Sequence, residues 1–433
     1  MSFSAPERSA LQALDLEGLL AFLRELIAIP SLGGQESPAQ RLVADWLERE
    51  GLTSDCWRID VDELSRHPQW SHEIDRTEAL GVVGWYGDAT PRETGAVAGQ
   101  DLLLNGHVDV VPPGDLADWL TPPFSPTVKD GRVYGRGAAD MKGGLCCALF
   151  ALKAIRDAGV RLRGRLSVAS VVGEEDGGTG TLATMLRGHL GDGAIIVEPT
   201  ALRIVYAQAG ALTFRLLVTG RAAHGGVREE GVSAIERFLP LFSALRELEA
   251  ERCAAAPGAG MSPGPFAGYR LPWPIEVGTL RAGDWPSSVP GELVAEGRYG
   301  VALGEDIAGA RRDFELAIAR AASADAWLST HPPRVEWWGG RFEPASTAVD
   351  DPIVTTVSEA AAQVSGFPSA LEGVTYGSDM RLLANVAGIP TVMFGPGDVR
   401  VAHMADEYVP LAQMTVAART LVVAALRYCG VDE

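Results

Sequence analysis

The sequence predicts an α/β fold in two parts, because its apolar segments follow two different orders. At both ends of the chain, apolar runs typical of buried strands alternate with helical patterns, which indicates a parallel sheet covered by helices on both faces. Between residues 207 and 342 the order of elements changes. The 433 residues are 47% hydrophobic and 21% charged, a composition and length that suit two or three globular domains. We therefore expect one domain made of residues 1–206 and 343–433, with a second domain, residues 207–342, inserted into it.

Hydrophobic periodicity and turn residues locate the elements of the first domain. Two helices are expected first, over residues 11–28 and over Ser37–Gly51, where Pro38 lies in the first turn and a glycine ends the pattern. Short apolar runs predict three strands, at Leu102–Leu104, Leu166–Val172 and Ala194–Val197, with a helix over Met141–Ala158 between the first two. After the inserted segment, the same pattern predicts a helix at Ile353–Val364, a strand at Thr391–Phe394 and a helix at Met414–Cys429.

The inserted segment has its own order of strands and helices. Its elements are a strand at 212–220, a helix at Val232–Glu251, strands at Ile275–Thr279 and Leu293–Val301, a helix at Glu305–Ala322 and a strand at Arg334–Trp338. This βαββαβ order is that of the ferredoxin-like α+β sandwich, in which two helices cover one face of a four-stranded sheet. A loop rich in proline and glycine, residues 254–274, follows its first helix.

Charge and cysteine content exclude several classes of protein. The 37 Lys and Arg against 56 Asp and Glu give a formal net charge of −19, so we expect neither nucleic acid nor a membrane as a partner. The five cysteines are odd in number and lack CxxC spacing, which argues against a disulfide framework or a thiolate zinc site. The N-terminal residues do not resemble a signal peptide, and no apolar run reaches the roughly 18 residues of a membrane span. We therefore expect a cytoplasmic protein.

Candidate chemistry lies where the predicted strands of the first domain end. The residues there are His107, Asp109, Asp140, Glu174, Glu175 and Glu198. Side chains at the carboxyl ends of parallel strands converge at one edge of the sheet. Each acid taken alone is more simply explained as a solvated loop residue, or in the case of Asp140 as a helix cap. Together they would repel one another without a cation, and a pair of bound metal ions would remove that repulsion.

The motifs resemble those of a known family. They are His107–Asp109, Gly135–Gly144, the pair Glu174–Glu175 followed by Gly177–Gly178, Glu198–Thr200, and Gly395–Gly397 leading to His403. In this order they resemble the signatures of the dinuclear zinc deacylases and exopeptidases. That family includes acetylornithine deacetylase, succinyl-diaminopimelate desuccinylase, aminoacylase and the glutamate-releasing carboxypeptidase. The resemblance extends over almost the whole chain.

The resemblance implies a metal-hydrolase domain with two divalent ions and assigns the candidate residues to them. Asp140 would bridge the ions, His107 and Glu175 would complete one site, and Glu198 and His403 the other. The donor set suits zinc, with cobalt or manganese as alternatives. Asp109 would fix the tautomer of His107. Glu174 would be the general base that takes a proton from the attacking water.

His224 is the histidine of the inserted domain that the resemblance singles out. It follows a predicted strand, in the turn GRAAHGGVREEG. In the family, a histidine at this place reaches the active site of the partner subunit and stabilises the oxyanion, which implies a homodimer formed through an inserted lid and dimerisation domain. Without the resemblance, His224 is best explained as a surface residue.

Four residues are candidates for substrate binding. They are Arg298 in the inserted domain and Gly377, Ser378 and Arg381 in a segment that resembles the GxSDxR loop of the family. Either arginine could bind a substrate carboxylate or form a structural ion pair. The sequence departs from the family at Ser287–Pro290, where many members carry Asn-Val-Ile-Pro, and at Gly173, where an Asp often precedes the glutamate pair. Two extra stretches, residues 57–80 and 254–274, are where we expect specificity to have been added.

These observations predict a metal-dependent amide hydrolase that releases a carboxylic acid from an N-acyl amino acid, similar to acetylornithine deacetylase or succinyl-diaminopimelate desuccinylase. The alternative is a metallo-exopeptidase that cleaves dipeptides or C-terminal residues. A dinucleotide-binding protein is disfavoured, because the glycines of Gly178-x-Gly180 follow three carboxylates that would repel a pyrophosphate. A non-catalytic binding protein is disfavoured because no expected ligand is missing.

Overall fold

The computed structural model describes residues 2–87, 99–254 and 264–432. The chain divides into two compact units. Unit 1 comprises Met1–Tyr206, Ser346–Glu372 and Ser378–Glu433, and unit 2 comprises Ala207–Ala345 and Gly373–Gly377. Unit 2 therefore also contains residues 343–345 and 373–377, which the sequence placed in the first domain. Residues 255–263 of the expected loop 254–274 lie outside the described residues.

The elements are numbered here in chain order. The helices are α1 (Ala5–Ala13), α2 (Leu16–Ile27), α3 (Ser37–Arg49), α4 (Val61–Leu64), α5 (Gly143–Asp157), α6 (Thr179–Leu186), α7 (Ala234–Ala254), α8 (Ile307–Ser323), α9 (Pro352–Ser365) and α10 (Leu411–Cys429). The strands are β1 (Thr53–Arg58), β2 (Leu80–Tyr86), β3 (Leu102–His107), β4 (Thr127–Lys129), β5 (Arg132–Tyr134), β6 (Leu166–Val171), β7 (Gly193–Ile196), β8 (Ile204–Gln208), β9 (Gly210–Thr219), β10 (Ala223–His224), β11 (Ile275–Ala282), β12 (Ser288–Val289), β13 (Glu292–Val301), β14 (Arg334–Phe342), β15 (Ala345–Ser346), β16 (Leu371–Val374), β17 (Thr391–Met393) and β18 (Tyr408–Pro410).

The first predicted helix is two helices in the structure. The pattern over residues 11–28 is interrupted at Asp15, whose side chain accepts a hydrogen bond from the backbone N–H of Gly18 at 2.8 Å. Asp15 therefore caps the N-terminus of α2, and α1 ends before it. The later helices of the first domain begin and end within a few residues of their predicted positions.

A nine-stranded sheet forms the centre of unit 1. Its order is β1-β2-β6-β3-β7-β17-β8-β15, with β16 paired to β8. The α/β fold is confirmed, but the sheet is mixed rather than purely parallel. Its central strands β6, β3, β7 and β17 run parallel, whereas β1 pairs antiparallel with β2, β2 with β6, and β8 with β17. The central strands are linked by crossover helices such as α5 and α6, while the connection between β1 and β2 contains only the four-residue helix α4.

The register of the central strands determines where their ends lie. His107, the last residue of β3, is opposite Val171 of β6, and Ile196 of β7 is opposite Met393 of β17. These strands are buried along their whole length. Because they are parallel and adjacent, the residues that follow them meet at one edge of the sheet.

Unit 2 has the predicted ferredoxin-like order. Its four-stranded sheet runs β11-β13-β9-β14 and all its pairings are antiparallel. Helices α7 and α8 pack together, and their buried residues join the inner side chains of the sheet in one hydrophobic core around Phe214, Tyr299 and Phe314. Strand β11 lies at one edge of this sheet, and most of its residues are exposed.

All five cysteines are free thiols; Cys56 is exposed and the other four are buried. Among the described residues, no helix combines the length and the apolar character that crossing a membrane requires.

Candidate metal centre

His107 is held in one orientation at the end of β3. Its ring is 1% exposed, and Nδ1 lies 2.8 Å from the backbone oxygen of Asp109. A proton on Nδ1 would be donated to this carbonyl, which leaves Nε2 directed at the carboxylates and available as a metal ligand. The Asp109 carboxylate is farther from the ring, with Oδ1 at 3.7 Å from Nδ1. The orienting group is thus the backbone of Asp109 rather than its side chain, which was the expected partner.

The Asp109 side chain instead supports the glutamate pair. Its Oδ2 accepts a hydrogen bond from the backbone N–H of Glu175 at 3.1 Å. This contact joins the segment after β3 to the turn after β6. Asp109 therefore helps to determine the direction in which Glu174 and Glu175 point.

Asp140 lies in the turn Ala138–Lys142 that leads into α5, and its peptide bond to Met141 is cis. The turn is held by Glu407, a residue to which the sequence assigned no role. Glu407 Oε1 accepts from the backbone N–H groups of Ala139 at 2.8 Å and Asp140 at 3.1 Å, and Oε2 accepts from Arg136 Nη1 at 2.6 Å. In the sequence, the one indication of a role for Glu407 was its place four residues after the candidate ligand His403, in the motif AHMADEYVP.

The remaining donors surround these two residues. His107 Nε2 lies 3.2 Å from Asp140 Oδ1, 3.9 Å from Glu198 Oε1 and 4.0 Å from Glu174 Oε2. Donor atoms of His107, Asp140 and Glu175 lie within 4.8 Å of one another, and so do those of His107, Glu174 and Glu198. The side chains of His107, Asp140, Glu174, Glu175 and Glu198 therefore lie in one cluster, and the Asp109 side chain holds the turn that carries the two adjacent glutamates.

His403 joins this cluster from the C-terminal segment. Its Nε2 lies 3.2 Å from Glu175 Oε2 and 3.6 Å from Asp140 Oδ2. The sequence paired His403 with Glu198, whereas these distances place it against Glu175. The backbone of His403 has a φ of 62°, a left-handed conformation that is uncommon for a residue with a side chain.

The electrostatics of the cluster fit a cationic ligand. Burial, followed by the charge of Glu198, raises the pKa of Glu174 well above its usual range. Burial, followed by the charge of Asp140, does the same to the pKa of Glu198. Burial would lower the pKa of His107, but Asp109 and Asp140 together raise it well above its usual value. Buried carboxylates that crowd in this way, with imidazole nitrogens among them, form a donor set suited to two divalent ions.

The two predicted binding residues of unit 1 are not open to a ligand. Ser378 and Arg381 are both 1% exposed. Arg381 Nη2 donates to the backbone oxygen of Gly177 at 2.7 Å, and Ser378 Oγ accepts from the N–H of Met380 at 3.1 Å. These contacts do not support the expected role in binding substrate. They indicate that Arg381 stabilises the loop that follows the glutamate pair.

The other predicted residues belong to unit 2. His224 is exposed at the end of β10, and its Nδ1 accepts from the N–H of Gly226 at 3.0 Å. Arg298 lies half-buried on β13, donates from Nη2 to the backbone oxygen of Thr375 at 2.8 Å, and has its pKa lowered by desolvation. Gly377 has no room for a side chain, because a Cβ there would lie 2.2 Å from Cβ of Phe342.

Comparison with known proteins decides the family. Residues 103–427 match the sequence profile of Peptidase family M20/M25/M40. The chain belongs to this family. The resemblance inferred from the motifs is therefore confirmed, and so is the expectation of a hydrolase that acts on amide bonds.

This chain is similar to individual known proteins over most of its length. It is 28% identical over 436 residues to N-formyl-4-amino-5-aminomethyl-2-methylpyrimidine deformylase of Halalkalibacterium halodurans, covering 95% of each protein. It is 29% identical over 327 residues to the probable succinyl-diaminopimelate desuccinylase of Staphylococcus aureus strain MRSA252, covering 71% of this chain and 78% of that protein. Among solved structures it shares the fold of the Saccharomyces cerevisiae dipeptidase Dug1p, with a TM-score of 0.77, 15% identity and 98% coverage of both chains. Human carnosine dipeptidase 1 has a TM-score of 0.71 at 16% identity, with 98% of this chain and 99% of that one covered.

Proposed function

We propose that the protein is a dinuclear metal-dependent deacylase that releases a carboxylic acid from an N-acyl amino acid. The observation that carries this proposal is the convergence of two histidines and four carboxylates at the carboxyl ends of the central strands of unit 1. Two of the relatives described above support a deacylase, because their names describe removal of a formyl or a succinyl group.

The distances favour one arrangement of the ligands. His107, Asp140 and Glu198 would hold one ion, and Asp140, Glu175 and His403 the other, with Asp140 shared. The contact of His403 with Glu175 and the approach of Glu198 to His107 support this pairing. We propose zinc, with cobalt or manganese as alternatives that the same nitrogen and oxygen donors accept. When bound, two such ions polarise a carbonyl group and acidify water.

Glu174 is the proposed general base. Its Oε2 lies 4.0 Å from His107 Nε2, so it sits at the cluster while Glu175 takes the contact with His403. It would take the proton of the water whose oxygen bonds to the amide carbonyl carbon, and would deliver that proton to the nitrogen as the C–N bond breaks. Asp109 would keep Glu174 in place through the Glu175 N–H.

We propose that unit 1 is the catalytic domain and that unit 2 is the lid and dimerisation domain. Helix α7 exposes Ile235, Leu239 and Phe242 at a spacing that puts them on one face, a surface suited to a second copy of the chain. His224 is exposed, as a residue that stabilises the oxyanion in the partner subunit must be.

Arg298 would bind the substrate carboxylate, since its described hydrogen bond uses only one guanidinium nitrogen. The free cysteines support a cytoplasmic protein.

A metallo-exopeptidase is the alternative, because the family to which the chain belongs is a peptidase family. Deacylase and exopeptidase substrates differ only in what is attached to the amide carbonyl. The same metal ligands and the same base serve both.

The test combines metal analysis with a substrate panel. We expect about two divalent ions per chain and release of free amine from N-acetyl, N-formyl or N-succinyl amino acids. Activity should disappear on chelation and return when zinc, cobalt or manganese is added back. Release from dipeptides alone would favour the exopeptidase. A protein that works equally well after chelation would contradict both.

A further inference from the structure

The extra stretch 57–80 contributes a buried cation to unit 1. The Arg76 side chain is 1% exposed and lies between two carboxylates, those of Glu36 and Asp176. Its Nη1 and Nη2 each lie 2.8 Å from one oxygen of Asp176, which is a bidentate pair. Its Nε and Nη2 reach Glu36 Oε1 at 2.9 and 2.8 Å. The stretch therefore has a structural contact that the expectation of added specificity did not include.

Asp176 directly follows the two glutamates of the candidate centre. Besides Arg76, its Oδ2 accepts from the backbone N–H groups of Glu73 at 3.2 Å and Ile74 at 2.9 Å. The carboxylate next to Glu175 is thus bound by the segment 73–76 through both side-chain and backbone donors. A movement of that segment would move the turn that carries Glu174 and Glu175.

Two glycines of the same turn show how closely the stretch packs against it. A Cβ on Gly173 would lie 2.8 Å from Arg76 Cζ, and a Cβ on Gly177 would lie 2.1 Å from the backbone oxygen of Ser71. The missing side chain at Gly173 gives the Arg76 guanidinium its space.

From these contacts we infer that Arg76 is a positioning residue, which acts through Asp176 to hold Glu174 and Glu175 at the candidate metal centre. This inference rests on the proposed function of Glu174 and Glu175. Without the guanidinium, Glu36 and Asp176 would be buried carboxylates lacking their cation, and the turn would relax. A lysine would pair with one of them but could not bridge both in the same geometry.

The experiment compares Arg76→Met and Arg76→Lys with a matched control, Arg427→Met. Arg427 also pairs with an acid of unit 1, with its Nε 2.8 Å from Glu7 Oε1, but it lies in α10 and has no contact with the glutamate turn. Steady-state kinetics are measured at saturating metal. Cobalt affinity and hydrogen exchange of the backbone amides of Glu175, Gly177 and Gly178 are measured on the same proteins without substrate.

For Arg76→Met we expect kcat to fall about 100-fold while KM changes less than about threefold. The substitution would misplace the reacting groups without weakening substrate binding. Cobalt affinity should fall about 10-fold to 100-fold, and the turn amides should exchange faster. Arg76→Lys should recover part of kcat. Arg427→Met should lower Tm but leave kcat and turn exchange as in the wild type.

An Arg76→Met protein with the Tm loss of the control but wild-type kcat and turn exchange would overturn the inference. If that variant does not fold, Arg76→Lys and Asp176→Asn decide: lower kcat with faster turn exchange supports it, and wild-type values of both refute it. Failure of the proposed function is a separate result. In that case the wild type is inactive on the whole panel, and the exchange measurement still reports whether Arg76 holds the turn.

Discussion

Two adjacent glutamates have different surroundings in this protein, although they are chemically identical. Glu175 contacts His403 and its N–H is held by Asp109, whereas Glu174 approaches His107 and Glu198. The turn between β6 and α6 thus directs the two carboxylates to different partners. This difference underlies the separate roles that we propose for them.

Glu174→Gln and Glu175→Gln should therefore fail in different ways. Replacing Glu174 removes a proton acceptor but no proposed ligand, so we expect two bound metal ions and a kcat about 10³-fold lower. Replacing Glu175 removes a ligand, so the metal content should fall toward one ion per chain. Metal analysis and kcat on both variants provide the check. Near-normal turnover in Glu174→Gln would contradict its assignment as the base.

At the residue scale, the candidate metal ligands could be predicted from the sequence, whereas the residues that hold them in place could not. His107, Asp140, Glu175, Glu198 and His403 were recognisable from local motifs. Glu407 and Arg76 were not, because their partners lie 267 and 100 residues away along the chain. Arg381 was recognised as part of a motif. Its hydrogen bond to the Gly177 carbonyl, which indicates a structural role, forms only in the folded chain.

At the scale of elements, the centre depends on how closely α5 approaches the end of β7. A Cβ on Gly144 would lie 1.9 Å from the backbone oxygen of Val197, the residue before Glu198. Asp140 lies three residues before the start of this helix. The missing side chain at position 144 thus brings the segment bearing Asp140 near the one bearing Glu198.

We expect Gly144→Ala to separate these two elements. Alanine gains about 1 kcal/mol of helix propensity over glycine, but a contact of 1.9 Å with backbone requires α5 to move, at a cost of about 1–3 kcal/mol or more. Tm and metal affinity should both fall. Gly278→Ala is the control, because nothing lies within 4 Å of a Cβ there. An unchanged Tm and metal affinity in Gly144→Ala would show that the backbone accommodates the methyl group.

Element types and order followed well from the sequence, because hydrophobic periodicity reports which faces are buried. The βαββαβ order of unit 2 and the parallel centre of unit 1 were predicted. Strands β1, β2 and β8 were not predicted, and their antiparallel pairing is a matter of strand direction, which periodicity does not encode. The break between α1 and α2 depends on a single capping residue, Asp15.

At the scale of the whole molecule, each active site of the proposed dimer would need residues from both chains. If His224 acts in the partner's site, a subunit without Glu174 can still supply its histidine. A subunit without His224 can still supply its base. A dimer of one Glu174→Gln and one His224→Ala chain would then contain one intact site.

Mixing the two inactive variants under conditions of subunit exchange should therefore restore activity. Random pairing makes half of the dimers mixed, with one working site each, so we expect about a quarter of wild-type activity. The same mixture without subunit exchange is the control. No recovery after demonstrated exchange would argue that His224 acts within its own chain or outside catalysis.

The local sequence was sufficient to identify the protein family, because the candidate metal ligands lie in short motifs. Hydrophobic periodicity places these motifs at the ends of strands in a sheet. The local sequence also accounts for five of the 56 acidic residues, Asp109, Asp140, Glu174, Glu175 and Glu198, at one centre. The contact of His403 with Glu175, the hydrogen bonds of Glu407 and Arg76, and the hydrogen bond from Arg381 to the Gly177 carbonyl depended on the three-dimensional arrangement. These are contacts between segments distant in sequence, and their geometry follows from packing and register rather than from the composition of any one segment.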